Sequence, residues 1–258
     1  MIHLQVLLTI FLTTATAAQA AIVKKDIEYH LAGKPYTGYL AYDDSKKGPR
    51  PAVMVAHNWM GVTQETKDRV DQLAELGYIA FAVDIYGKNS RPKDQKEAAE
   101  FSGFFKKDRI ALRARMQQGL SVLKKQPGVD PNKIAVIGYC FGGTAAIELA
   151  RAGAPIKGVV SFHGGLDSPK PEDGKRIKAK ILALHGADDP FVPAEELAAF
   201  EEEMRKAKVD WVLIKYGGAV HSFTEKAAGN DNSKGAAYNA DADRRSWEAM
   251  QAFFKEIF

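Results

Sequence analysis

The folds open to this chain are limited above all by a series of short, unbroken apolar runs separated by stretches of helical periodicity. The runs YTGYLAYD (36–43), PAVMVAH (51–57), YIAFAVDIY (78–86), KIAVIGY (133–139), IKGVVSFHG (156–164), KILALHG (180–186) and WVLIKY (211–216) carry the β-branched and aromatic residues of strands. Within them VMVA and IAVIG show no polar alternation, so both faces must be buried, which suits a mostly parallel sheet covered by helices. Helical patterns fall at 65–76, 107–125, 142–152, 193–207 and 241–257. This alternation predicts one α/β domain over residues 21–258. The opening IEYHLAGKPYTGYLAYD turns at Gly33-Lys34-Pro35 and is expected to add an antiparallel hairpin at the sheet edge. Two polar stretches, 88–100 and 227–243, are expected as surface excursions, the second long enough to be a binding loop.

Charge and cysteine content narrow the setting. The 36 Lys and Arg and 32 Asp and Glu give +4, scattered along the chain without a basic block, which argues against a nucleic-acid partner. Residues 1–20, MIHLQVLLTIFLTTATAAQA, have an apolar run followed by small residues ending in Ala18-Gln19-Ala20, the pattern of a secretory signal removed after Ala20. Nothing later is apolar for the roughly 20 residues needed to span a bilayer, so no stable membrane insertion is expected after cleavage. The mature chain is expected in a periplasm or outside the cell. Exported domains usually hold cysteines as disulfides, yet this chain has one cysteine, Cys140. A leftover thiol there is either buried and inert or kept for its chemistry.

The surroundings of Cys140 point to chemistry. The segment Ile137-Gly138-Tyr139-Cys140-Phe141-Gly142-Gly143 follows the strand KIAVI and precedes the helical TAAIELARAG, matching G-x-S-x-G with cysteine in the serine place. A nucleophile on such a turn sits in strained backbone, and small residues at 138 and 142 let neighbouring chains approach. The helix dipole beneath the sulfur favours negative charge there. The N–H of Phe141, free at the helix start, can donate to the oxygen of a tetrahedral intermediate.

A nucleophile so placed takes an acid and then a histidine from loops after later strands. Asp188-Asp189-Pro190 follows KILALHG, and His221-Ser222-Phe223 follows WVLIKY after four intervening residues. Local physics does not choose between Asp188 and Asp189. Of the other histidines, His163 and His185 end strands and could support the site; a metal site from His57, His163, His185 and Asp188 lacks any ligand spacing, so no metal is expected.

The motifs Gly-Tyr-Cys-Phe-Gly-Gly, Asp-Pro-Phe-Val-Pro and His-Ser-Phe, in this order and each after a strand, resemble those of the dienelactone hydrolase family, the carboxymethylenebutenolidases of the α/β-hydrolase superfamily. The resemblance runs from about residue 35 to the C-terminus. It implies the α/β-hydrolase fold, with about eight mostly parallel strands and helices on both faces, and hydrolysis of a small ester or lactone without a cofactor. Residue by residue, Cys140 resembles the nucleophile, Asp189 the acid and His221 the histidine. The loop from Ala56 to Val62 resembles the one that supplies a second oxyanion N–H, here that of Trp59. Asn58, Tyr86 and Phe223 are the candidate pocket residues, and a monomer is the expected state. Two positions depart from the family pattern. Asn58 stands where a glutamate assists the nucleophile, and Glu225 stands in the stretch after the histidine where an arginine holds a substrate carboxylate. Glu225 would repel such a carboxylate, and Lys226 or Arg91 would have to compensate. Rival readings are a generic carboxylesterase of the same fold and a catalytically silent, ligand-binding relative; a redox sensor would lack a resolving cysteine.

Overall fold

The computed structural model describes residues 21–258; the expected signal, 1–20, lies outside the described residues. The apolar runs form eight strands: β1 (Ile22–Leu31), β2 (Lys34–Asp43), β3 (Arg50–Ala56), β4 (Ile79–Val83), β5 (Val129–Tyr139), β6 (Gly158–Phe162), β7 (Lys180–Gly186) and β8 (Trp211–Tyr216). They make one sheet in the order β1-β2-β4-β3-β5-β6-β7-β8. The pairs β1–β2 and β2–β4 are antiparallel and all the others parallel. The hairpin expected at the edge is β1–β2. Charged Lys24, Lys25, Asp26 and Glu28 on β1 blunt the outer edge against further pairing.

Among the described residues six α-helices cover the sheet: α1 (Gln64–Glu75), α2 (Gln95–Lys107), α3 (Arg109–Lys124), α4 (Phe141–Arg151), α5 (Ala194–Ala207) and α6 (Ala240–Ile257). The central strands feed two cores because successive side chains point to opposite faces. From β3, Met54 and Ala56 join Leu112, Met116, Ala145 and Phe200 of α3, α4 and α5. From the other face, Val53 and Val55 meet Val70 and Leu73 of α1 and Met250 and Phe254 of α6. Ala52 to Ala56 are wholly buried, as the unbroken apolar pattern requires. Among the described residues no helix is long and apolar enough to cross a membrane.

The stretch 88–100 is only in part a surface excursion. From Gln95 it is the first half of α2, which Asp94 caps by accepting from the Glu97 N–H at 2.9 Å. Its exposed face is polar, and that masked the helical period. The stretch 227–243 is a strap across the loop after β8: His221 N–H donates to Gly235 O, Ala237 N–H to His221 O and Asn239 N–H to Phe223 O, at 3.0–3.1 Å.

Candidate active site

At the carboxyl end of β5 the chain turns into α4 through Cys140, whose φ of 53° and ψ of −119° lie outside the regions an L-residue ordinarily adopts. The packing requires glycine on both sides. A Cβ on Gly138 would collide with the Gly142 carbonyl, and one on Gly142 with the carbonyl of Ala56 at the end of β3. This close approach brings the start of α4 against the turn after β3. Cys140, a free thiol, remains partly exposed at the top of the turn.

Two loops converge on the sulfur. His221 Nε2 lies 3.1 Å from Cys140 Sγ, and His221 Nδ1 lies 2.8 Å from Asp189 Oδ2. Asp189 is held in turn by the Phe191 N–H, which donates to its Oδ1 at 2.8 Å. Asp188 points away and accepts from the exposed Gly218 N–H at 3.1 Å, so geometry makes the choice that local sequence left open. Burial disfavours charge on the His221 ring. The negative charge of the Cys140 sulfur and the Asp189 carboxylate outweigh it and raise the histidine's pKa to about 10.

The strand-ending histidines support this arrangement. His163 Nδ1 accepts from the Cys140 N–H at 3.2 Å, and its Nε2 lies 2.8 Å from Thr224 Oγ1. With Nδ1 an acceptor, Nε2 carries the proton, and burial holds the ring neutral, its pKa well below the usual histidine range. His57 is likewise buried, its pKa lowered by burial. Its Nε2 accepts from the Ile85 N–H at 3.2 Å while Nδ1 meets Asn58 O at 2.6 Å, which ties down the turn after β3. On that turn Asn58 Oδ1 accepts from the Met60 N–H at 2.9 Å and the Tyr86 hydroxyl donates to Trp59 O at 2.9 Å. Among the described residues the N–H groups of Trp59 and Phe141 have no protein acceptor.

The dienelactone hydrolase family model matches residues 36–258. The chain belongs to this family. A dienelactone hydrolase-like promiscuous phosphotriesterase from metagenomic libraries superposes with a TM-score of 0.88 at 40% identity, covering 92% of this chain and 99% of that one. A Yersinia pestis protein named "Putative carboxymethylenebutenolidase" is 28% identical over 87% of this chain and 85% of its own length. The Pyrococcus horikoshii acylaminoacyl peptidase shares the fold alone, with a TM-score of 0.71 at 12% identity over 93% of this chain and 42% of that one.

Within this dienelactone hydrolase frame one candidate pocket residue, Phe223, needs correction. Phe223 is wholly buried, edge-on to His163 at 5.0 Å and to Tyr216 at 5.5 Å, so it backs the site without lining it. Tyr86 is also buried, stacked on Phe141 and Phe105 at 5.8 and 5.9 Å, and contributes its hydroxyl to the Trp59 turn. Phe191 was not anticipated: it is 60% exposed and stands edge-on to His221 at 5.4 Å. Arg91 donates to Val62 O at 2.6 Å, and Lys226 is exposed. Glu225, expected from sequence to repel a substrate carboxylate, packs against Asn58: Asn58 Nδ2 donates to its Oε1 at 3.1 Å. A sequence search confined to neighbours of the three motifs could not pair residues so far apart.

Proposed function

We propose that this dienelactone hydrolase family member is a cysteine hydrolase of small esters or enol-lactones, with Cys140 as nucleophile, His221 as acid and base, and Asp189 orienting the imidazole. The observation that carries the reading is the unbroken contact from Asp189 through His221 to Cys140, at 2.8 and 3.1 Å, on a strained turn. The Cys140 thiol gives its proton to His221 Nε2 as the sulfur attacks the carbonyl carbon, and the Phe141 and Trp59 N–H groups receive the oxyanion. As the intermediate collapses, the His221 Nε2 proton passes to the departing oxygen. Water then attacks the thioester, His221 takes its proton, and the acid and the sulfur are released. A thiolate leaves readily itself, so the intermediate partitions well for alkoxide or enolate leaving groups and poorly for amines. The exposed Phe191 ring beside His221 favours substrates with an apolar group.

Hydrolysis of p-nitrophenyl acetate and of a dienelactone, by the wild type and by Cys140→Ala, tests the assignment. Turnover in the wild type and its loss in the variant are expected; equal rates would remove Cys140 from the mechanism, and inactivity of both would favour the ligand-binding reading. Likeness to the promiscuous phosphotriesterase adds a second substrate class, activated phosphotriesters, at whose phosphorus the same sulfur would attack as the P–O bond to the activated group breaks and that group leaves as alkoxide or phenolate.

A further inference from the structure

We propose that Glu225 is a positioning residue of this site: its carboxyl, acting through Asn58, holds the turn that presents the Trp59 N–H to the reacting carbonyl. The proposal rests on the hydrolase reading above, in which that N–H receives the oxyanion.

The chain of contacts is short and fully specified. Asn58 is buried, and its amide has two ends to satisfy. Its Oδ1 is taken by the Met60 N–H at 2.9 Å, which leaves Nδ2 facing outward as a donor, and Glu225 Oε1 accepts from it at 3.1 Å. Tyr86 and His57 grip the same turn at Trp59 O and Asn58 O, at 2.9 and 2.6 Å. Glu225 therefore supplies the side-chain restraint that comes from the loop bearing His221.

That loop is itself fixed. Glu225 N–H closes a turn on Ser222 O at 2.8 Å, Thr224 Oγ1 meets His163 at 2.8 Å, and Arg69 donates to Thr224 O at 3.0 Å and to Asp243 at 2.7 Å. An anchor so braced can position Asn58 and need not follow it. The bond also ties the turn carrying the oxyanion donor to the loop carrying the base, so the two move together. Burial pushes the Glu225 carboxyl pKa up. The bond is indifferent to that, since a carboxylate oxygen and the carbonyl of a neutral acid both accept. What position 225 needs is an acceptor, and an arginine or lysine there would set a donor against a donor.

Steady-state hydrolysis of p-nitrophenyl acetate and ¹H–¹⁵N spectra of the purified protein test this together. In Glu225→Ala, kcat is expected to fall about 10- to 100-fold with KM within about twofold, as for a displaced oxyanion donor. Glu225→Gln, which keeps an acceptor, should recover kcat to within about threefold of wild type. At a pH where both carboxyls are ionised and no proton bridges them, Asn58→Asp should show the same loss by turning the donor into an acceptor, and Asn58→Asp combined with Glu225→Gln should regain most of it, because the glutamine amide then donates. A full kcat in Glu225→Ala, a loss in Glu225→Gln as deep as in Glu225→Ala, or no rescue in the exchanged pair would overturn the proposal. Should Glu225→Ala not fold, the exchanged pair decides alone. The spectra separate this proposal from the hydrolase reading: if hydrolysis proves independent of Cys140, that reading fails. The Glu225–Asn58 tie then stands or falls on whether Glu225→Ala, unlike Glu225→Gln, shifts the Asn58 side-chain amide and Trp59 backbone signals.

Discussion

The charge on His221 is set by its neighbours. Burial alone would lower its pKa below the ordinary 6.5; the Cys140 sulfur's negative charge and the bond to Asp189 carry it to about 10. Removing the sulfur in Cys140→Ala should therefore lower the histidine's pKa, as read from its imidazole proton resonances against pH; a value still near 10 would assign the shift to Asp189 alone. The linkage has a definite sign. A folded-state pKa above the unfolded one gives stability that is fully present below about 6.5 and lost as pH rises through about 10. The wild type should thus lose stability over that window more steeply than Cys140→Ala. Cys140 and His221 were legible in the sequence because each sits within a short motif after a strand. Asp189 was not separable from Asp188, since only the direction of the turn, with the Phe191 N–H on Oδ1, decides between them. The meeting of Asn58 and Glu225 was illegible, because it depends on β3 and β8 ending at the same edge of the sheet.

The helix that follows Cys140 is anchored from below by ions. Arg151, near the end of α4, has a wholly buried guanidinium whose five N–H donors have acceptors to match: Glu203 takes two bonds at 2.6 and 2.9 Å, Glu148 one at 2.9 Å, and the carbonyls of Asp167 and Leu166 one each at 2.9 and 3.0 Å. Arg113 extends the network to Glu148 and Asp173 at 2.7 and 2.6 Å. Arg151→Met would leave two buried carboxylates short of their partner, at a cost of about 3–5 kcal/mol in urea denaturation. A loss under about 1 kcal/mol would mean that Arg113 and Arg109, which reach Glu148 at 2.7 and 3.8 Å, compensate. This network was invisible to the sequence: nothing in the helical segment TAAIELARAG marks Glu148 and Arg151 as turned inward. The parallel strands were legible because double-sided burial leaves an unbroken apolar run, as in IAFAV of β4. All of α2 before Lys107 was missed, because its first residues Gln95 and Lys96 face water and only Ala98, Ser102 and Phe105 are buried.

The sheet also bears on where the chain must be cut if residues 1–20 direct export. Residue 21 is already part of the fold: its carbonyl accepts from the Asp44 N–H at 3.2 Å, and from Ile22 onward each residue of β1 is in register with β2. Removal after Ala20 would therefore leave the β1–β2 hairpin whole, whereas a cut even a few residues later would strip pairs from the edge strand and expose β2 as a new edge. A single cysteine suits an oxidising compartment as well, because no intrachain disulfide can compete for the thiol. Expression of the whole chain in a Gram-negative host should give a periplasmic product whose intact mass begins at Ala21, with hydrolase activity in the same fraction. Replacing Ala18 and Ala20 by bulky residues should retain the uncut precursor at the membrane. A product recovered from the cytoplasm with residues 1–20 still attached would refute export. A cut beyond Ile22 would instead require the fold to tolerate a shortened β1, seen as a lower Tm than that of a chain begun at Ala21.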